Sequence, residues 1–161
     1  MTSIATIGVY GFNRDSFLET LKRAGVGLVL DVRQRRGVRG SEYAWANSRR
    51  LQAALGEAGI GYTHLKELAP TTELRELQYR EDARLGEGKR SRTVLASAYA
   101  RLYTEEILDQ VDLDPIVHWI GTTPAALLCV ERDPEACHRS LIAARLERDW
   151  GFSVENLRPT D

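Results

Sequence analysis

Between Cys129 and Ser140 the chain reads Cys-Val-Glu-Arg-Asp-Pro-Glu-Ala-Cys-His-Arg-Ser, a short stretch holding two thiols, carboxylates, an imidazole and guanidinium groups. Few turns need that mixture for structure alone, so Cys129, Glu131, Cys137, His138 and Arg139 are the candidate catalytic residues. Asp133-Pro134 is a helix-start signal that would place Cys137 in a first turn, where free N–H groups and the helix dipole favour a thiolate nucleophile. His138 could then move a proton near neutral pH, and the Arg139 fork could hold a carboxylate or phosphate. Each residue also has a plain structural reading. Cys129 could fill a buried strand, and Arg139 could pair with Glu131 or Glu135.

The same cysteines raise two other chemistries. A disulfide between Cys129 and Cys137 is geometrically conceivable; a reducing compartment argues against a permanent one and leaves a regulatory or catalytic one open. Cys129, Cys137 and His138, with His64 from another loop, could ligate a metal, but their spacing matches none of the short zinc patterns. No cofactor is therefore predicted, with a metal at Cys129, Cys137 and His138 left open.

A second polar stretch follows the apolar run Val26–Val32 and holds Arg33, Arg35, Arg36 and Arg39, with Arg49 and Arg50 beyond it. Tyr43 and Trp45 lie beside it as base-stacking candidates, which makes Arg35, Arg36 and Arg39 a candidate nucleic-acid contact. The competing reading is a solvated loop with one buried tryptophan. Asp31, Arg33, Tyr62 and His64 are candidates for binding substrate, while His118 beside Trp119 reads as structural.

The elements that must carry these residues alternate. Ile4–Val9 reads as a buried strand, followed by a helix capped near Asn13 or at Ser16 with Glu19 and closed by Gly25. Val26–Val32 is too short for a globular helix and reads as a central parallel strand. A helix over Ser48–Ala58 and a strand over Ile60–Leu65 come next. Residues 72–111 read as helix in two pieces around a flexible loop at Gly86–Arg92. A short helix from Asp114-Pro115 through Trp119, a strand over Ala125–Val130, a helix ending at Gly151 and a strand over Phe152–Leu157 complete the pattern.

Such alternation predicts an α/β fold, a mainly parallel sheet of about five strands with helices on both faces and right-handed crossovers. With 161 residues, one domain over 1–161 is expected. Ligands of such sheets gather beyond the carboxyl ends of the strands, so the Asp31–Arg33 and Cys129–Arg139 segments should share one pocket. Composition narrows the function classes. Nearly balanced charge, net −1, makes any phosphate contact a local matter. Two cysteines, no apolar signal region and no apolar run of roughly 18 residues point to the cytoplasm and away from membranes. Neither a P-loop nor a dinucleotide fingerprint is present, which argues against nucleoside triphosphate and nicotinamide chemistry. Oligomeric state is not indicated.

Thr6-Ile7-Gly8, Asp31-Val32-Arg33, Tyr62 with His64-Leu65 and Leu68, Cys129-x-Glu131 and Cys137-His138-Arg139 together resemble the bacterial and archaeal family called domain of unknown function 488, over nearly the whole chain. The resemblance implies that Cys129, Glu131, Cys137, His138 and Arg139, with Asp31 and Arg33, belong to a shared site. Leu68-Ala69 departs from the Leu-Gly usual there. Two functions are expected to compete. One is a thiol-dependent hydrolase or transferase holding a small anionic substrate, a nucleotide or a nucleic-acid end, with Cys137 or Cys129 as nucleophile, His138 as acid/base, and Arg139 and Arg33 as clamp. The negative charges of Asp133 and Glu135 count against a phosphate in that loop. The other is a non-enzymatic nucleic-acid-binding module using the Arg33–Arg39 loop.

Overall fold

A computed structural model of the chain describes residues 2–88 and 91–160. Five parallel strands, β1 (Ser3–Ile7), β2 (Leu28–Asp31), β3 (Gly61–His64), β4 (Ala125–Leu128) and β5 (Ser153–Leu157), form one sheet in the order β3-β2-β4-β1-β5. Each strand is shorter than its apolar run, because the terminal residues of the runs leave the ladder while staying buried; Val9, Val32, Leu65 and Val130 are all core residues.

Helices α1 (Arg14–Arg23) and α2 (Ser48–Glu57) bury Phe17, Leu21, Leu51 and Leu55 against one face. Helices α3 (Thr72–Arg84), α4 (Ser97–Glu106), α5 (Asp114–Thr122) and α6 (Arg139–Trp150) cover the other, through residues such as Leu74, Tyr103, Ile120 and Leu146. This division follows from handedness. The chain winds from β1 through β2 to β3 in one direction and returns to β4 and β5 in the other, and a right-handed crossover must change face when it changes direction.

Local signals set the ends of the helices. Asn13 Oδ1 accepts from the Ser16 N–H at 2.8 Å and Ser16 Oγ accepts from the Asn13 N–H at 3.0 Å, so the capping box is Asn13/Ser16 and not Ser16/Glu19. Helix α5 includes Asp114 and runs past Trp119 to Thr122. Gly151 closes α6 at φ 72° in the left-handed region. Asp133-Pro134 opens only a single 3-10 turn, Pro134–Ala136. Cys137 then turns extended, with φ −140° and ψ 147°, and α6 begins at Arg139. The expected place for Cys137 inside a first helical turn is thus corrected to the residue before the helix cap.

The Gly86–Arg92 stretch does not behave as one flexible loop. Lys89 and Arg90 lie outside the described residues, whereas Arg92 is buried at 7% exposure and fixed by three hydrogen-bonded partners. No helix among the described residues is long and apolar enough to cross a membrane.

Candidate functional site

Alternation along the strands decides where each polar group goes. Leu127 and Cys129 join the core on the α3–α6 side, while Leu128 and Val130 join the core on the α1–α2 side. In β2, Leu30 and Val32 face the α3–α6 side and Val29 faces the other. Asp31 pairs in register with Leu128. Asp31 and Cys129 therefore leave the same rim on opposite faces: the two segments meet at one cleft, lined by Arg33 as well as Cys129, Cys137 and His138, but Asp31 turns away from it into a separate polar cluster.

The first cluster is closed. Asp31, fully buried, receives Arg33 Nε at 2.9 Å on one oxygen and Arg33 Nη2 at 2.8 Å on the other, with the Tyr62 hydroxyl donating at 2.5 Å. Arg33 completes its fork on the Ala46 carbonyl at 2.9 Å. Internal electrostatics keep this guanidinium charged: burial opposes the charge, but Asp31 outweighs it and raises the pKa. His64 Nε2 bonds the Arg33 carbonyl at 2.9 Å. Asp31, Tyr62 and His64 do not line the neighbouring cleft; Arg33 does, although its guanidinium is held by Asp31 and the Ala46 carbonyl, so this cluster acts as a brace behind the cleft wall.

The second cluster faces a cleft with about 460 Å³ of empty space, part of it open to solvent. Cys129, Glu131, Cys137 and His138 line it together with Gln34, Arg35, Arg75, Gln78, Tyr79 and Arg92. The His138 ring is fixed: Nε2 lies 2.8 Å from the Val32 carbonyl, which only accepts, so this nitrogen carries a proton. That leaves Nδ1 toward both sulfurs, 3.7 Å from Cys129 and 3.8 Å from Cys137. Burial pushes the Cys129 thiol well above its ordinary pKa, and Cys137 and Glu131 add to the shift, so Cys129 keeps its proton at neutral pH. Cys137 Sγ instead accepts the Arg139 N–H at 3.4 Å at the start of α6. Both cysteines are free thiols.

Glu131 is oriented from behind. Arg92 Nη2 donates to Glu131 Oε1 at 2.7 Å, Nη1 to Asp82 at 2.5 Å, and Nε to the Ala136 carbonyl at 3.1 Å. Gln78 supports Asp82 at 2.8 Å and accepts the Ala96 N–H at 3.0 Å. The other Glu131 oxygen lies 3.3 Å from Cys129 Sγ. Arg92, Asp82 and Gln78 escaped the sequence reading, since a polar residue on a helix face or at a loop end looks solvated until its partner is known.

Arg139 is corrected more sharply. It is wholly buried and donates to the Glu131 carbonyl at 2.6 Å and the Arg132 carbonyl at 3.1 Å, so it holds the loop instead of clamping an anion. The same carbonyl explains Gly8: a Cβ there would stand 1.8 Å from the Glu131 oxygen. Asp133 and Glu135 bond Arg158, at 2.8 and 3.5 Å, and line neither this cleft nor the groove next to it.

The cleft opens into a groove lined by Tyr10, Arg35, Arg39, Arg75 and Tyr79 among others. Arg75 donates to Gln34 at 2.8 Å and to the Tyr79 hydroxyl at 2.9 Å, which fixes its direction. Of the proposed nucleic-acid residues, Arg35 and Arg39 lie in this groove, while Arg36 sits 3.4 Å from the Tyr62 hydroxyl on the far cluster. The expected stacking aromatics turn inward. Trp45 packs on Phe17 with ring centroids 5.0 Å apart, and Tyr43 packs on Tyr10 at 5.2 Å.

Chemically, two thiols and one oriented imidazole beside a carboxylate can provide a sulfur nucleophile with a proton carrier, or a set of soft metal ligands. No curated protein and no solved structure matches the chain significantly. Residues 13–146 match the family described as Domain of unknown function DUF488, and with most of its length matched, including the Cys129–Arg139 segment that builds this cleft, the chain belongs to that family.

Proposed function

We propose that the protein is an enzyme that binds a small phosphate-bearing anion, a nucleotide or a nucleic-acid end, in the cleft, with the reacting group against Cys129, Glu131, Cys137 and His138. One observation carries the reading: among the described residues the only acidic side chain lining the cleft or the adjoining groove is Glu131, already paired with Arg92, while Arg35, Arg39 and Arg75 line them too. In a chain of net charge −1 this is a local concentration of positive potential over a reactive floor. The charges of Asp133 and Glu135 no longer count against a phosphate, since both turn to Arg158.

The roles divide by depth. Arg35, which has no ion-pair partner among the described residues, and Arg75 draw the anion in. Glu131, steered by Arg92, and His138, steered by Val32, stand where a proton must be taken or given. Arg33 and Arg139 hold the two loops. Buried free thiols fit a reducing compartment such as the cytoplasm.

Calorimetry with pyrophosphate, nucleoside monophosphates and a short 5′-phosphorylated oligonucleotide tests this. Saturable binding that weakens with salt, and weakens further in Arg35→Ala and Arg75→Ala, is expected. Absence of binding to every probe at low salt, or binding indifferent to both substitutions, sinks the proposal.

A further inference from the structure

We infer that Cys129, Cys137 and His138 form a site for one zinc-class divalent ion with its open coordination position toward the cleft. The inference deepens the reading above, because that ion would face the bound anion. Its basis is geometric. The three donor atoms lie within 4.8 Å of one another, with Nδ1 of His138 at 3.7 Å from one sulfur and 3.8 Å from the other. A tetrahedral ion with metal–sulfur bonds of about 2.3 Å and metal–nitrogen bonds of about 2.0–2.1 Å holds such atoms roughly 3.5–3.8 Å apart. Only small side-chain adjustments separate the observed arrangement from a closed one.

Three further features point the same way. First, the imidazole is aimed: its Nε2–H is anchored to the Val32 carbonyl, so that in the neutral ring the Nδ1 lone pair points toward the sulfurs, as outer partners of metal-binding histidines do. Second, Nδ1 of His138 is poorly served. Among the described residues it has only two thiols as neighbours, both near the outer limit of a sulfur hydrogen bond, although the ring is almost completely buried. An ion would satisfy all three at once. Third, the donors come from rigid supports, the end of β4 and the entry to α6, and Glu131 is held beside them, its Oε2 3.3 Å from Cys129 Sγ. There it can accept a hydrogen bond from water on the ion.

Two thiolates and a neutral imidazole cancel the charge of a divalent ion, and soft sulfur donors select zinc-like ions over magnesium or calcium. Binding would release the two thiol protons to solvent. The sequence already offered these three residues as possible ligands but carried no short zinc spacing to favour them, because they come from a strand end and a pre-helix turn.

The test uses the full chain purified under reducing conditions and stripped with chelator. Zinc is titrated in competition with a chromophoric chelator, and cobalt(II) is titrated with absorption read-out. One ion per chain is expected, with the thiolate-to-cobalt charge-transfer band and the intense visible absorption of a low-coordinate cobalt centre. Cys137→Ser and His138→Gln should weaken zinc by roughly a hundredfold or more. Folded wild-type protein that takes up no stoichiometric zinc or cobalt, or a cobalt complex without the thiolate band, overturns the inference; so does Cys137→Ser protein that binds zinc as tightly as wild type. Pyrophosphate titration of the same stripped protein separates the two proposals. Anion binding without metal uptake removes the ion alone, and metal uptake without binding of any phosphate probe removes the cleft reading alone.

Discussion

The loops after β2 and β4 leave the sheet side by side and carry similar side chains, yet they end in opposite conditions. In the first, Asp31, Arg33 and Tyr62 satisfy one another and the Ala46 carbonyl. In the second, Nδ1 of His138 has only two long contacts to sulfur among the described residues, and it faces a cleft with both thiols. The difference teaches that charge and burial do not by themselves mark a functional group. Unfilled bonding capacity facing an opening does. Arg139 makes the point within the second loop, since it sits in the most specific motif and is bound to two backbone carbonyls.

If the comparison holds, breaking the brace should cost stability and breaking the cluster should cost ligand. Asp31→Ala has the largest expected effect, because it strands Arg33, 1% exposed, without its carboxylate; a loss of about 3–5 kcal/mol in urea denaturation is expected. A loss under about 1 kcal/mol would mean that the pair is not the brace described. Gly8→Ala should follow at about 1–3 kcal/mol, since its methyl group would meet the Glu131 carbonyl and force the loop off the end of β1. Retained stability there would show that the loop has room to move.

The next effects are smaller in stability and larger in ligand. Cys137→Ser should destabilise the metal-free chain by only about 1 kcal/mol, well below Asp31→Ala, while abolishing tight zinc binding. Comparable unfolding for the two variants would erase the contrast between brace and cluster. Arg35→Ala, on an exposed side chain, should change stability by no more than about 0.5 kcal/mol and should lower the salt dependence of anion binding by about one phosphate contact. An unchanged salt slope would move the anion away from this wall.

The strands were legible because a parallel strand covered on both faces reads as a short apolar run. Their faces were not, for the same reason: in Val26–Val32 and Ala125–Val130 nearly every residue is apolar, so no alternation distinguishes one side from the other. Whether Asp31 and Cys129 share a pocket depends on a one-residue difference in register, Asp31 opposite Leu128 and not opposite Cys129. The chemistry of the candidate cluster was legible by residue type at Cys129, Glu131, Cys137 and His138, which the fold brings to one cleft. The helix start was misplaced because Asp133-Pro134 carries the chemistry of a cap for any turn, and here the turn lasts only to Ala136 before Cys137 extends. Arg92 was hidden in a polar stretch, and of its partners Asp82 lies on the preceding helix and Glu131 39 residues further along the chain.

The position of β4 has a consequence for how the chain matures. It is the fourth strand in sequence but the middle one in space, wedged between β1 and β2, which do not touch each other. Until Ala125–Leu128 emerges during synthesis, the two earlier strands present bare edges inside what will become the interior, and the contacts that close them span about a hundred residues. A nascent chain stopped just short of Ala125 is therefore expected to be protease-sensitive and prone to clump, with protection arriving abruptly once that last wedge is in reach. Cys129 follows directly on Leu128, so the strand that closes the sheet also delivers the first sulfur of the thiol cluster.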